Sequence, residues 1–262
     1  MVSAMWGGAW DIHRLGEVDS TNTYVRDRAR HGDPAGLVAV ADHQTAGRGR
    51  LDRRWESPPG ANLLASVLLR PDIDGRDVHL CAGAVALAGA DACREVAGVE
   101  PVLKWPNDLL LEGAKLAGVL AEAEFAGSSL TAVVVGIGIN VAWPGPPEAG
   151  GTCLDDVGGA TQPIDRQVLL DHLLGALEPR CALLEDSSGR QALADEVRRR
   201  CGTLGRQVRV TLPGEEITGR AGAIDDGGRL VVETAAGPRP VSAGDVVHLR
   251  PDQDPGGVRG LG

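Results

Sequence analysis

The chain has 262 residues, with 36 Asp and Glu against 26 Lys and Arg, a formal net charge of -10. Hydrophobic residues make up 43% and charged residues 24%, which excludes general disorder and suits one large domain, or one large and one small, with a core of its own. The acidic balance argues against a general nucleic-acid or membrane-surface binder, whose contact face is basic. With one Tyr, one Phe and five Trp, the core must rest on Val, Leu and Ala. The cysteines at 81, 93, 153, 181 and 201 form no CxxC pair, so they read as small buried hydrophobes and not as a zinc site or disulfide framework. The first nine residues carry no Lys or Arg and no apolar h-region follows, no stretch reads as a membrane span, and a cytoplasmic location is expected.

In chain order, Asp19-Ser20-Thr21-Asn22 offers a helix N-cap, followed by a short helix over Tyr24 to Arg30 that Gly32 ends. Leu37 to Ala41 reads as a buried strand, Gln44 to Pro59 as a loop rich in Gly, Arg and Pro, and Asn62 to Leu69 as a strand. Val78 to Val96, Ala-rich and apolar, predicts a buried helix. Val102 to Trp105, Asp108 to Leu111, Leu116 to Glu124 and Thr131 to Val141 read as strands, with a hairpin turn at Glu112-Gly113-Ala114. After a Pro/Gly loop, Pro144 to Gly151, come helices over roughly Asp165 to Leu184 and Arg190 to Cys201. The first carries Leu169, Leu170, Leu173, Leu174 and Leu177 on one face. Arg198-Arg199-Arg200 reads as a solvated helix end. From Gly202 the texture changes to short β runs, Val208 to Leu212, Ile217 to Ala223, Leu230 to Thr234 and Val246 to Leu249. The expected organisation is a main domain at 1–201, a small β module at 202–250 and a frayed tail at 251–262.

Three stretches carry chemistry. Between Arg48 and Arg54 the loop places four Arg and one Asp in seven residues of an acidic chain. The Gly residues let backbone N–H groups approach an anion, and Arg presents a planar fork of donors to phosphate. The spacing is neither a Walker A loop nor a dinucleotide fingerprint. Lys104-Trp105-Pro106-Asn107-Asp108 and Lys115-Leu116-Ala117-Gly118 put lysines at the ends of apolar strands, where burial is costly unless they meet an anion. In Gly136-Ile137-Gly138-Ile139-Asn140, alternate Gly leaves room against a strand.

Taken together with Ser20-Thr21-Asn22, Gln44, Trp55 and Gly60-Ala61-Asn62-Leu63, these stretches occur in the order seen in biotin protein ligases, which the chain resembles from about residue 14 to 250. The resemblance implies an α+β catalytic domain like that of class II aminoacyl-tRNA synthetases, with a largely antiparallel mixed sheet flanked by helices, and a C-terminal SH3-like β-barrel. It implies ATP-dependent formation of biotinyl-5'-AMP and transfer of the biotinyl group to one lysine of a biotin carboxyl carrier domain of an acyl-CoA carboxylase. Biotin, ATP and Mg²⁺ are the small molecules it implies. Only 19 residues precede Ser20, so the short form without an N-terminal DNA-binding domain, and no nucleic-acid partner, is expected; monomer and dimer stay open.

By the same resemblance Ser20, Thr21, Asn22, Gln44, Arg48, Gly49, Arg50, Lys115 and Gly118 line the biotin site. Arg50, Arg53, Trp55, Asn62, Lys115 and Asn140 belong to the ATP site, and Lys115, Arg50, Asp108 and Lys104 to the catalytic centre. No residue is assigned to a metal. Leu51-Asp52 departs from the family's more usual basic or Gly pair inside the loop. The loop is expected to order over biotin or the adenylate, and loss of the residues after Gly202 to harm ligation more than biotin binding. A lipoate ligase or octanoyltransferase of the same fold, or a biotin-responsive regulator, are the competing readings; the polar set Ser20, Thr21 and Gln44 and the Arg-rich loop oppose the lipoyl one.

Overall fold

The computed structural model describes residues 9–157, 162–242 and 244–249. The tail at 251–262 lies outside them. The elements run β1 (Asp11–Val18), α1 (Thr21–Arg30), β2 (Leu37–Gln44), β3 (Leu63–Leu69), α2 (Val78–Ala97), β4 (Val102–Lys104), β5 (Asp108–Leu111), β6 (Ala114–Ala126), β7 (Ser129–Ile139), α3 (Leu154–Val157), α4 (Arg166–Leu183) and α5 (Ser187–Arg200). The C-terminal strands are β8 (Gln207–Leu212), β9 (Glu215–Ile224), β10 (Leu230–Thr234), β11 (Gly237–Val241) and β12 (Asp245–His248).

Seven strands form one mixed sheet in the order β1-β2-β3-β7-β6-β5-β4. β1 runs parallel to β2, and the other neighbours are antiparallel. Side chains alternate across this sheet with period two. Val38, Val67, Val133, Val135 and Ile137 face α2 and α4 in the main core. Ala39, Leu68, Ala132 and Val134 face α1 through Val25 and Ala29. The sheet is therefore covered on both faces, and the long apolar strands β3 and β7 sit at its centre.

Two strands were not anticipated. β1 is an edge strand of mixed polarity, Asp-Ile-His-Arg-Leu-Gly-Glu-Val, with no clean alternation to mark it. β11 contains Pro238 and Pro240 and is tolerated because it too lies at an edge. Helix α1 starts at Thr21, a turn earlier than expected, with Ser20 as its N-cap residue.

The C-terminal sheet has the order β11-β10-β9-β8-β12 and is antiparallel throughout. Val241 of one edge strand and Val246 of the other join the same small core, so the sheet curls around it in the manner of an SH3-like module. Trp105 of the main domain is part of that core. Its backbone N–H donates to Thr203 Oγ1 at 3.0 Å and its indole Nε1 to Gly228 O at 2.9 Å. The helix end read as solvated is a second tie. Arg198 donates to Ile224 O and Asp226, and Arg200 to Asp91, because the C-terminal module and α2 offer acceptors there. Among the described residues no helix is long and apolar enough to cross a membrane.

Candidate functional site

A cavity of about 700 Å³ opens where the α1 N-terminus, the 45–59 loop, the β5–β6–β7 face and the start of β12 meet. Every residue assigned above to the biotin site, the ATP site or the catalytic centre lines it except Asn62.

One end is a hydrogen-bonding wall. Gln44 Oε1 accepts from the Thr21 backbone N–H at 2.7 Å and lies 3.0 Å from Thr21 Oγ1. The Ser20 hydroxyl makes no capping bond although its residue is buried. Asn22 sits over Gly136, where a Cβ would overlap its amide. Next along the same strand, Gly138 faces Gly118 across β6 and β7. The Trp55 indole lies on that glycine pair, and a Cβ on either would press into the ring. The alternate glycines of β7 thus serve two different side chains. The Trp55 indole nitrogen is buried without a hydrogen-bond partner.

The cations stand at the other end. Lys115 Nζ is 2.7 Å from Asp108 Oδ1, an ion pair not aligned as a hydrogen bond, and 5.5 Å from the Trp55 ring centre. Arg50 reaches Asn107 Oδ1 at 3.4 Å; burial lowers its pKa, partly offset by the nearby Asp108 carboxylate. Lys104 pairs in register with Asp108 at the β4–β5 turn. Arg53 forks onto Asp245 of β12, whose carboxyl is held below its ordinary range first by that hydrogen bond and further by the charges of Arg53, Lys104 and Lys115. Arg48 is turned the other way, bidentate to Glu122 at 2.9 and 2.7 Å, so its side chain is occupied and its contribution to the wall is mainly backbone. Glu122 also receives Arg26 and the Asn22 amide.

The loop is a hairpin in this state. Gly49 N donates to Arg53 O, Arg53 N to Arg50 O, and Trp55 N to Gly47 O. Leu51 and Asp52 at its tip both have positive φ, 54° and 57°. A neighbouring wall, the 144–151 loop, is tied down by Asn140, whose Nδ2 donates to Pro144 O and Thr152 O at 3.0 Å each.

Asn62, expected at the nucleotide, is not on the cavity wall. It is fully buried; its Oδ1 accepts from Val141 N and Trp143 N, and its Nδ2 donates to Asn140 Oδ1 and Trp143 O. All four hydrogen-bonding positions are filled by protein, which leaves none for a nucleotide. It positions Asn140 instead. Sequence reasoning also passed over Glu122, Asp245 and Ser66. A lone hydroxyl inside the apolar run of β3 was the available signal for Ser66; a carboxylate in a small β module gives none for Asp245. Among the described residues no three His, Cys, Asp or Glu side chains group as a metal site.

Sheet, cavity and C-terminal module define an enzyme fold of the biotin/lipoate ligase class. Residues 15–140 match the Biotin/lipoate A/B protein ligase family and residues 203–249 the Biotin protein ligase C terminal domain. A biotin–[acetyl-CoA-carboxylase] ligase of Mycobacterium tuberculosis is 38% identical over 252 residues, covering 93% of this chain and 91% of that protein. The bifunctional ligase/repressor BirA of Bacillus subtilis is 31% identical, covering 87% of this chain and 71% of its own length. The solved biotin protein ligase of Aquifex aeolicus in complex with biotin and ATP superposes with a TM-score of 0.74 at 28% identity, covering 92% of this chain and 99% of that one. The chain belongs to the Biotin/lipoate A/B protein ligase family, among its biotin protein ligases.

Proposed function

We propose that the protein joins biotin to ATP, giving biotinyl-5'-AMP and pyrophosphate, and then passes the biotinyl group to a lysine of a carboxyl carrier domain of an acyl-CoA carboxylase. The observation that carries this is one cavity with a polar hydrogen-bonding wall at Thr21 and Gln44 and a cation set, Lys115, Arg50 and Arg53, at its other end.

In the first step a biotin carboxylate oxygen attacks the α-phosphorus and pyrophosphate leaves. The carboxylate is already ionised at neutral pH, so no base is needed. The obstacle is bringing two anions together out of water, where their repulsion grows. Lys115 and Arg50, fixed before the ligand arrives, offset that repulsion and stabilise the charge that develops. ATP would enter as its magnesium complex, the ion being held chiefly by the substrate phosphates and water. In the second step the acceptor lysine nitrogen attacks the acyl carbon and AMP leaves with the anhydride oxygen. The amine must lose a proton, and Asp108, a carboxylate on the cavity wall beside Lys115, would take or orient it. Arg50 and the hairpin from Gly47 to Trp55 cover the anhydride from water. The polar wall fits a ring with hydrogen-bonding edges and leaves a lipoyl dithiolane unpaired, which disfavours lipoate as substrate.

The test is mass spectrometry of a carboxyl carrier domain incubated with the protein, biotin and ATP-Mg. One added biotinyl group is expected; no mass change refutes the reading. Lys115→Ala should slow adenylate formation by about 10²–10³, and a wild-type rate would remove Lys115 from the catalytic centre.

A further inference from the structure

Ser66 belongs to none of the motifs and does not line the cavity. It stands in the middle of β3, among apolar neighbours, and is wholly buried. Its hydroxyl oxygen lies 2.6 Å from Asn22 Oδ1 and 2.7 Å from Thr21 Oγ1. Gly136 is its register partner on β7, and the missing side chain there makes room for the Asn22 amide.

The direction of each hydrogen bond follows from the donor and acceptor inventory. Asn22 Nδ2 faces Glu122 Oε2 at 2.8 Å and Leu120 O at 3.2 Å, and both accept only. The amide therefore cannot be turned over. Asn22 Oδ1, an acceptor, must receive the single Ser66 hydroxyl proton across 2.6 Å. With that proton spent, the single Thr21 hydroxyl proton has two acceptors to choose between, Ser66 Oγ at 2.7 Å and Gln44 Oε1 at 3.0 Å, and the shorter contact, which is repulsive without a proton, takes it. Thr21 Oγ1 is left with lone pairs only. Gln44 Oε1 is fixed as an acceptor by the Thr21 backbone N–H at 2.7 Å, and it lies 3.0 Å from Thr21 Oγ1. Two acceptor oxygens side by side on the cavity wall, with no proton between them, call for a ligand N–H.

We infer that Ser66, anchored through Asn22 by the Glu122 carboxylate, is a positioning residue that sets the polarity of this wall and so selects a ring bearing N–H donors. The inference rests on the biotin reading and deepens it: the cyclic urea of biotin carries two N–H groups, and a dithiolane carries none. Without Ser66 the Thr21 hydroxyl would turn to Gln44 Oε1 and the two acceptors would satisfy each other.

Steady-state kinetics of the full chain test this. Ser66→Ala should raise the biotin KM about tenfold or more while leaving the ATP KM within about twofold. In a Thr21→Val background Ser66→Ala should add little, because its effect runs through the Thr21 hydroxyl; a merely structural role would add in full. An unchanged biotin KM, or full additivity, overturns the inference. A measurement on the unaltered protein guards against a variant that does not fold. Calorimetric affinity for biotin should exceed that for ureido-N-methylbiotin by about tenfold or more, and equal affinities also overturn it. An unaltered protein that binds no biotin at all would overturn the ligase reading and the subsite with it, whereas biotin binding insensitive to Ser66 overturns only the subsite.

Discussion

Arg53 Nη2 lies 2.8 Å from Asp245 Oδ2 and its Nη1 3.3 Å from Oδ1, so the arginine hairpin of the catalytic domain is forked onto the first residue of β12. The pair is half exposed, and such pairs contribute only about 0.2–1 kcal/mol to stability. Its consequence lies in what it joins: the hairpin over the cavity cannot lift without leaving the C-terminal module. Asp245→Asn should therefore shift the thermal midpoint by less than about 4 °C while speeding dissociation of biotinyl-5'-AMP about fivefold or more. Displacement of labelled adenylate measures the second quantity, and an unchanged rate would dissociate the pair from loop closure. The point substitution is a cleaner probe than removal of residues 202–250, which would strip Trp105 of its cover.

Gly118 and Gly138 make the floor on which Trp55 rests. Gly138→Ala suits a strand but puts a methyl inside the indole, so Trp55 must lift away. Overpacking of this kind costs about 1–3 kcal/mol. The ATP KM should rise about tenfold with biotin saturating, and tryptophan emission should change in the ligand-free variant but not when Trp55→Phe is combined with it. An unaltered ATP KM would mean that the indole's seat on the sheet has no part in nucleotide binding.

The hairpin tip holds Leu51 and Asp52 in the left-handed region, closed by Arg53 N to Arg50 O at 3.2 Å, a turn of the type that prefers Asn-Gly. An L-residue costs about 1–2 kcal/mol there. Leu51 is 59% exposed, so replacing it sacrifices little packing. Leu51→Asn with Asp52→Gly should stabilise the closed hairpin by about 1–2 kcal/mol. Slower proteolysis of the 45–59 loop in ligand-free protein is the expected readout, and faster cleavage would refute the assignment.

Much of the site was legible because its residues come from loops and strand ends, where Gly, Arg and Lys stand out against apolar strands. The strands themselves were legible where they are central and apolar, as in β3 and β7. β1 and β11 escaped because edge strands need not alternate and tolerate Pro. Asn62 was misplaced for a different reason. Its neighbours Gly60, Ala61 and Leu63 do not line the cavity either, and its amide is taken up by the 140–143 turn, 78 to 81 residues away in the chain, a pairing that no local pattern reports. Glu122 and Asp245 act through partners 74 and 192 residues away, Arg48 and Arg53, and no local pattern reports such pairing.

His248 couples pH to the seat of the C-terminal module. The Trp105 backbone N–H donates to Thr203 Oγ1, and the Thr203 hydroxyl lies 3.0 Å from His248 Nε2, which accepts its proton when the ring is neutral. Burial, with Lys104 and Arg206 nearby, lowers the His248 pKa from 6.5 to about 4. Because the folded pKa lies below the unfolded one, the unfolded chain binds more protons between these values. The stabilisation is complete above about pH 6.5 and is lost as pH falls towards 4. Allowing for the ring's partial exposure, about 1–2 kcal/mol is at stake. His248→Gln can keep an acceptor for Thr203 without titrating. Denaturant unfolding of the two proteins should give curves that converge near pH 7 in their pH dependence and diverge between pH 6.5 and 4, the unaltered protein losing more. Parallel curves across that window would show that His248 is not held neutral in the folded state.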